Sequence, residues 1–165
     1  MGHIEIVTND NQADAFAVRQ AVFVEEQGYE NEYDAIDDAP GCIHVTLLVD
    51  GRPAACARTF SRVTELACSE YAHALPQSPC DAGATPESTY ILGRVAVLKE
   101  FRRMGLASDV VKAAEDAARE AGAACMKLHA QEYVHNLYGK LGYEQISEVD
   151  YEDEGQPHLW MAKRL

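Results

Sequence analysis

One stretch restricts what this chain can fold into more than any other. Residues 90–98 form a continuous strand run. A short turn then carries Lys99, Arg102, Arg103 and Gly105, and residues 106–121 form an Ala-rich helix ended by Gly122. A buried strand feeding a helix calls for a sheet with helices packed on its faces. The turn between them has chemistry of its own. Unpaired N–H groups of the first helical turn point outward, and the helix dipole favours an anion there. Gly105 and Ala107 keep side chains clear of a ligand, and three positive charges flank the turn in a chain of net charge −13. These features describe a pyrophosphate site. Neither GxGxxG nor GxxxxGK[ST] occurs, which excludes the two common nucleotide loops.

The rest of the chain alternates strands and helices. Residues 3–8 read as a first strand, with Ile4 and Ile6 on one face. Asn9 or Asp10 caps a helix from about residue 11 to 27, with Gly28 as its stop. Phe16, Gln20, Phe23 and Gln27 share one side of it, and Ala15 and Val22 widen that stripe. Residues 43–49 and 54–60 are strands joined by Asp50-Gly51, a dipeptide suited to a tight hairpin, with Pro53 at a strand start. Residues 64–75 hold a short helix, followed by loop through Pro76, Pro79 and Pro86. Residues 125–130 form a strand, 133–141 a short helix closed by Gly142, and 143–149 and 159–162 the final strands. No repeat and no interdomain linker is visible, so residues 1–165 are read as one domain of the α/β (α+β) class.

Composition narrows the function classes. At 47% hydrophobic and 25% charged, 165 residues are ample for a core and unlike a disordered chain. No apolar run approaches the ~20 residues of a membrane helix, and the N-terminus lacks a signal-peptide pattern. The net charge of −13 argues against nucleic acid and anionic membranes as partners. Cys42, Cys56, Cys68, Cys80 and Cys125 are odd in number and never in CxxC spacing, so neither a disulfide framework nor a zinc knuckle is expected. Cys56 and Cys125 lie in apolar runs and read as buried packing thiols in a reducing cytoplasm. Without a ligand-spaced His/Cys/Asp cluster, no metal is expected.

Four ordered segments carry a family resemblance. Arg102-x-x-Gly105-x-Ala107 resembles the R/Q-x-x-G-x-G/A pyrophosphate motif of the Gcn5-related N-acetyltransferases, the GNAT superfamily. Ala130-Gln131 followed by Asn136-Leu137-Tyr138-Gly139-Lys140-Leu141-Gly142-Tyr143 is similar to the family's "AQ … FYeKlGF" ending, with Leu137 where Phe is usual. Residues 22–28 and the Glu152-x-x-Gly155-x-Pro157-His158-x-x-Met161 segment look like the ElaA/YjcF-type subgroup. The resemblance implies a single GNAT-like domain: a mixed, mostly antiparallel sheet of about six to seven strands with helices on both faces. It implies acetyl-CoA as cosubstrate, with Val95, Ala96 and Val97 bonding the pantetheine arm through the backbone. Arg102, Arg103, Met104, Gly105, Leu106, Ala107 and Ser108 would form the pyrophosphate turn. The Val97 N–H would polarise the thioester carbonyl, and Asn136 would contact the cofactor arm. Tyr138 would protonate the departing thiolate, a transfer from a phenol of pKa ~10 to a thiolate of pKa ~8.5.

The acceptor side is less specified. An amine acceptor arrives protonated and must lose a proton before it attacks. Residues 25–38 carry seven carboxylates and residues 144–154 six, so a cationic amine of a small molecule or peptide is the expected partner. Glu26, Glu32 and Glu152 are candidate bases, His158 is a base or cleft residue, and His44 and Arg94 are placed in strands near the same cleft. No cysteine belongs to the matched site, so transfer would be direct. A homodimer is compatible with the sequence. The rival reading is an acyl-CoA sensor with this fold and no turnover.

Overall fold

The computed structural model describes residues 2–10, 12–68 and 74–165. It contains strands β1 (Ile4–Thr8), β2 (Ile43–Val49), β3 (Arg52–Ser61), β4 (Thr89–Val97), β5 (Cys125–Gln131), β6 (Glu144–Gln145), β7 (Asp150–Asp153) and β8 (Gln156–Arg164). The α-helices are α1 (Gln12–Arg19), α2 (Arg62–Cys68), α3 (Leu106–Glu120) and α4 (His135–Lys140). The strands form one sheet in the order β1-β2-β3-β4-β5-β8-β6, with β7 also paired to β8. Every pairing is antiparallel except β4 with β5, the pair that α3 connects. No described helix is long and apolar enough to cross a membrane.

Strand alternation sends successive side chains to opposite faces. On one face Val45, Leu47, Ala55, Ala57, Leu92 and Met126 pack under α3, whose Leu106, Val110, Val111, Ala114 and Ala118 are buried. On the other face Cys56 and Ala96 meet Ala15, Val18, Val22 and Phe23 of the first helical segment. The anticipated helices on both faces are therefore present. The Asp50-Gly51 hairpin also forms as expected, with both residues at positive φ (50° and 80°) as a type I′ turn requires.

Four expectations need correction. The sheet has eight strands, because the last segment is divided: residues 143–149 supply only the two-residue β6, and β7 and β8 form a hairpin around Glu154-Gly155 at φ 51° and 74°. The first helix is α-helical only to Arg19 and continues as a π-helix over Gln20–Glu26. Its buried stripe is Ala15, Val18, Arg19, Val22 and Phe23, while Gln20 is exposed. Cys80 and Cys125, 45 residues apart, form a disulfide, so Cys125 is not a free packing thiol. The short helix anticipated over residues 64–75 is α2 where described; residues 69–73 lie outside the described residues.

The fourth correction concerns the carboxylates of residues 25–38, expected to be available to a cationic acceptor; several are instead taken up by arginines of the fold. Arg19, 1% exposed, holds Glu32 Oε2 at 2.7 Å and Asp37 at 2.7 and 3.0 Å. Arg58 of β3 binds Asp34 at 2.7 and 2.9 Å and Asp37 at 2.8 Å, and Arg94 of β4 reaches Glu32 Oε2 at 3.0 Å. Three arginines thus meet three carboxylates, and the segment is tied across α1, β3 and β4. His44 is buried in the same cluster, its Nε2 3.0 Å from Asp37 O, and does not reach the cleft.

Breaking one member of such a network leaves an uncompensated buried charge, which costs about 3–5 kcal/mol. Asp37→Asn should lower the free energy of urea unfolding by about that amount. Burial pushes the Asp37 carboxyl up, but the Arg19 hydrogen bonds and the Arg58 charge outweigh it and hold the group well below the usual carboxylate range. A depressed folded-state pKa gives stability that is complete above the unfolded value of ~3.9 and lost as pH falls through the folded value. The parent should therefore lose stability more steeply than Asp37→Asn as acid is added below about pH 4. Parallel pH–stability curves for the two proteins would remove Asp37 from the network.

Candidate active site

The hydrogen-bond ladder between β4 and β5 runs from Thr89–Cys125 to Leu92–Leu128 and stops. Beyond it β5 stays with β8, while β4 stays with β3 across a bulge opposite residue 57. The two strands separate, and a cavity of about 330 Å³ opens between them. Leu98 N–H donates to Ala54 O of β3 at 2.8 Å. Strand alternation then turns the N–H and C=O of Val95 and Val97 towards the gap. The Val97 carbonyl accepts from Arg102 Nε at 3.0 Å on that side. Val95, Ala96 and Val97 all line the cavity, as do Arg102, Ala107 and Tyr138.

The turn anticipated as an anion site lies at the end of this gap. Arg103 and Gly105 take positive φ (65° and 77°), which brings the chain abruptly into α3. No side chain caps the start of that helix, so its first N–H groups are left to an external acceptor. Gly105 has no heavy atom within 4 Å of the position a Cβ would take. Met104, Gly105 and Ser108 belong to the turn rather than the cavity wall, Leu106 is buried in the core, and Asn136 is exposed at the start of α4 away from that wall. Glu26 is not on the wall either. Its carboxylate makes a two-pronged pair with Arg102 at 2.6 and 2.7 Å, which holds it below the usual carboxylate range.

Tyr138 projects from α4 into the cavity, 7% exposed and packed edge-on against Tyr143 at 5.9 Å. Burial raises its phenol well above the ordinary tyrosine value, so it stays protonated at neutral pH.

The opposite wall carries imidazoles. His129 of β5 and His158 of β8 stack at 4.7 Å, and Trp160 stacks on His129 at 4.8 Å. Both histidines line the cavity, with Asp153 and Glu154 beside them. Asp150 accepts from His129 Nε2 at 2.9 Å. His158 Nδ1 lies 2.9 Å from the Gln156 carbonyl, which can only accept, so Nδ1 donates there and Nε2 is the nitrogen left for other partners. Asp153 Oδ2 stands 3.6 Å from that Nε2. Glu152, in contrast, is exposed and not among the cavity residues. Glu32 does line the cavity, its carboxyl raised by burial against the lowering charges of Arg94 and Arg19.

Sequence reasoning missed His129, Asp153 and a relay in which Gln131 donates to Gln27 at 2.9 Å and Gln27 to Tyr133 at 3.2 Å. Alternation along residues 125–130 could have put His129 opposite the core residues Met126, Leu128 and Ala130. Nothing in the chain spacing joins Gln27 to Gln131. No cysteine presents a nucleophile here: burial pushes the Cys56 thiol up to about 12. The fold does gather three groups that sequence spacing hides, with ligand atoms of Cys80, Asp81 and Cys125 within 4.8 Å of one another. The two sulfurs are bonded to each other and offer no thiolate.

The sequence profile of the acetyltransferase (GNAT) family matches residues 5–143. The chain belongs to this family. It is therefore an N-acyltransferase, and acyl-CoA supplies the acyl group. The uncharacterised N-acetyltransferase YjcF of Bacillus subtilis is 32% identical over 161 residues, covering 96% of each chain. The crystal structure of Escherichia coli ElaA superposes with a TM-score of 0.72 at 21% identity, over 98% of this chain and 99% of that one. An aminoglycoside 6′-N-acetyltransferase complexed with coenzyme A superposes with a TM-score of 0.67 at 14% identity, over 97% and 96%. These two structural likenesses describe the fold.

Coenzyme A should raise the thermal midpoint of the N-acyltransferase, since a ligand bound by the native state alone stabilises it by mass action. Gly105→Asp adds a carboxylate where the free helix N–H groups converge, and should abolish the shift while unfolding remains cooperative. A variant that responds to CoA as the parent does would place the phosphates elsewhere.

Proposed function

We propose that this enzyme transfers the acetyl group of acetyl-CoA directly to a primary amine of a small molecule or peptide. The supporting observation is that one cavity holds the free backbone edge of β4, a protonated phenol and an imidazole whose Nε2 is not used by the backbone. The amine loses a proton to His158 Nε2, and the Asp153 carboxylate stabilises the imidazolium that results. The neutral nitrogen attacks the thioester carbonyl, whose oxygen is met by the Val97 N–H. A C–N bond forms, the C–S bond breaks, and the thiolate takes the Tyr138 proton. Tyr138 recovers its proton from the acylated nitrogen through solvent. Products are the amide and free CoA, and no covalent enzyme intermediate is used.

Of the three carboxylates first considered as bases, Glu26 and Glu32 are paired with arginines and Glu152 is not among the cavity residues, which favours His158. The cationic acceptor is also less favoured than the sequence suggests. Of the residue 25–38 run, Glu26, Glu32, Asp34 and Asp37 are already paired with arginines. Asp153 on the wall, beside His158, serves the reacting ammonium.

Thiol release over a panel of amines, amino acids, polyamines, amino sugars and peptides tests the reading. Release with none of them, despite CoA binding, would support the sensor. Tyr138→Phe keeps the ring and removes the acid, so kcat should fall by about 10²–10⁴-fold with CoA affinity within a few-fold. A variant as active as the parent would return Tyr138 to a packing role. His158→Gln should lower kcat by about 10²–10⁴-fold with CoA affinity little changed, whereas Glu152→Gln should leave both nearly unchanged. Full turnover in His158→Gln would assign the base to another group.

A further inference from the structure

We propose that the acceptor carries a carboxylate besides its amine, as an amino acid does, and that Arg94 is the residue that holds it. The proposal rests on the acetyl-transfer reading and names its substrate class. Arg94 stands on the bulged part of β4, just beyond the point where β4 leaves β5, with φ at 52°. A non-glycine residue in the left-handed region is uncommon and is kept where surrounding structure enforces it, often at a functional site. Arg94 lines the cavity, and its side chain is mostly withdrawn from solvent.

Its hydrogen bonds are unevenly spent. Nε lies 3.0 Å from Glu32 Oε2, and Nη2 donates to the Glu32 carbonyl at 2.9 Å. Asp34 Oδ2 is 3.4 Å from Nη2, at the far limit of a hydrogen bond. Nη1 has no partner among the described residues, and the side chain remains 24% exposed. The other two arginines of the cluster are better matched. Arg58 has both Asp34 oxygens and one of Asp37, and Arg19 has Glu32 and both oxygens of Asp37. Glu32 therefore divides its charge between Arg19 and Arg94, and the cation left short is the one on the cavity. Burial and the Arg58 charge hold the Arg94 guanidinium below its ordinary value, the direction expected where positive charge is under-compensated.

A carboxylate arriving at Nη1 accepts the N–H groups that Glu32 leaves unused, a charge-assisted pair that supplies the missing negative charge. The amine end of the same molecule meets the wall that carries His158 and Asp153. Of the nearby carboxylates, Glu154 and Asp150 are engaged elsewhere, Glu32 is paired with Arg19 and Arg94, and Asp153 faces His158, on the side that receives the amine. Glu154 accepts the N–H groups of Glu30 and Asn31 at 2.8 and 3.2 Å, and Asp150 is bound to His129.

The test is equilibrium binding by calorimetry to the CoA-loaded protein, with thiol release from acetyl-CoA measured in parallel. Each common L-amino acid is compared with its decarboxylated amine and its primary amide. A hydrogen bond to a charged group contributes about 1.5–3 kcal/mol, so the favoured amino acid should bind about 10–150-fold tighter than either analogue. Arg94→Gln should erase that discrimination, and Arg94→Lys should restore part of it. Because the comparison within the parent needs no variant, instability of the Arg94 substitutions does not blunt it. Amines or amides that bind as well as the acids, or no amino acid bound at all, would overturn the proposal. Thiol release without carboxylate preference would overturn it while leaving acetyl transfer intact. Carboxylate-selective binding with no thiol release anywhere would uphold Arg94 and sink the acetyl-transfer reading instead.

Discussion

The parting of β4 from β5 after the Leu92–Leu128 pair is the constraint on which the rest of the site depends. A parallel ladder that continued would consume the N–H and C=O groups of β4 and leave no room between the strands. Its interruption exposes a backbone edge in the middle of a sheet, where an extended ligand arm can bond as a strand would. Two features enforce the break. The bulge opposite residue 57 turns β4 towards β3, and β8 holds β5 along its whole length from Cys125 to Gln131. The helix that joins the parted strands begins where β4 ends, so its free N–H groups face the same opening.

The buried arginine–carboxylate cluster secures one side of that opening. Such clusters are weak evidence for stability, because desolvation offsets most of the attraction. Here the cluster has a geometric consequence. Arg19, Arg58 and Arg94 come from α1, β3 and β4, and together they pin residues 32–37 along the edge of the cavity. The π-helical turn over Gln20–Glu26 carries Phe23 and Val22 into the cavity wall and presents Glu26 to Arg102. Part of the negative charge that looks unbalanced along the chain is paired with arginines in the fold.

Tyr138 and His158 occupy opposite walls for different reasons. Tyr138 is placed by the short α4 and wedged by Tyr143. His158 is placed by β8, and the Gln156 carbonyl fixes which ring nitrogen carries its proton. Both side chains are nearly enclosed, which strengthens their interactions with any charge that develops between them.

The sequence by itself determined the strand–turn–helix unit, the glycine-containing turn, both faces of the sheet and the short helix that carries Tyr138. Each is a local pattern: alternation, helical period, a glycine at positive φ, or a motif within a few residues. Only the tertiary structure decided the fate of the carboxylates, because pairing Glu32, Asp34 and Asp37 with Arg19, Arg58 and Arg94 joins residues 13 to 62 positions apart. The same holds for Cys80 with Cys125 and for His129 with Asp150. Periodicity reports which face a residue is on and says nothing about its partner across the fold. Charge counted along a chain is not charge felt at a site, since burial and pairing are set by strands that meet only after folding.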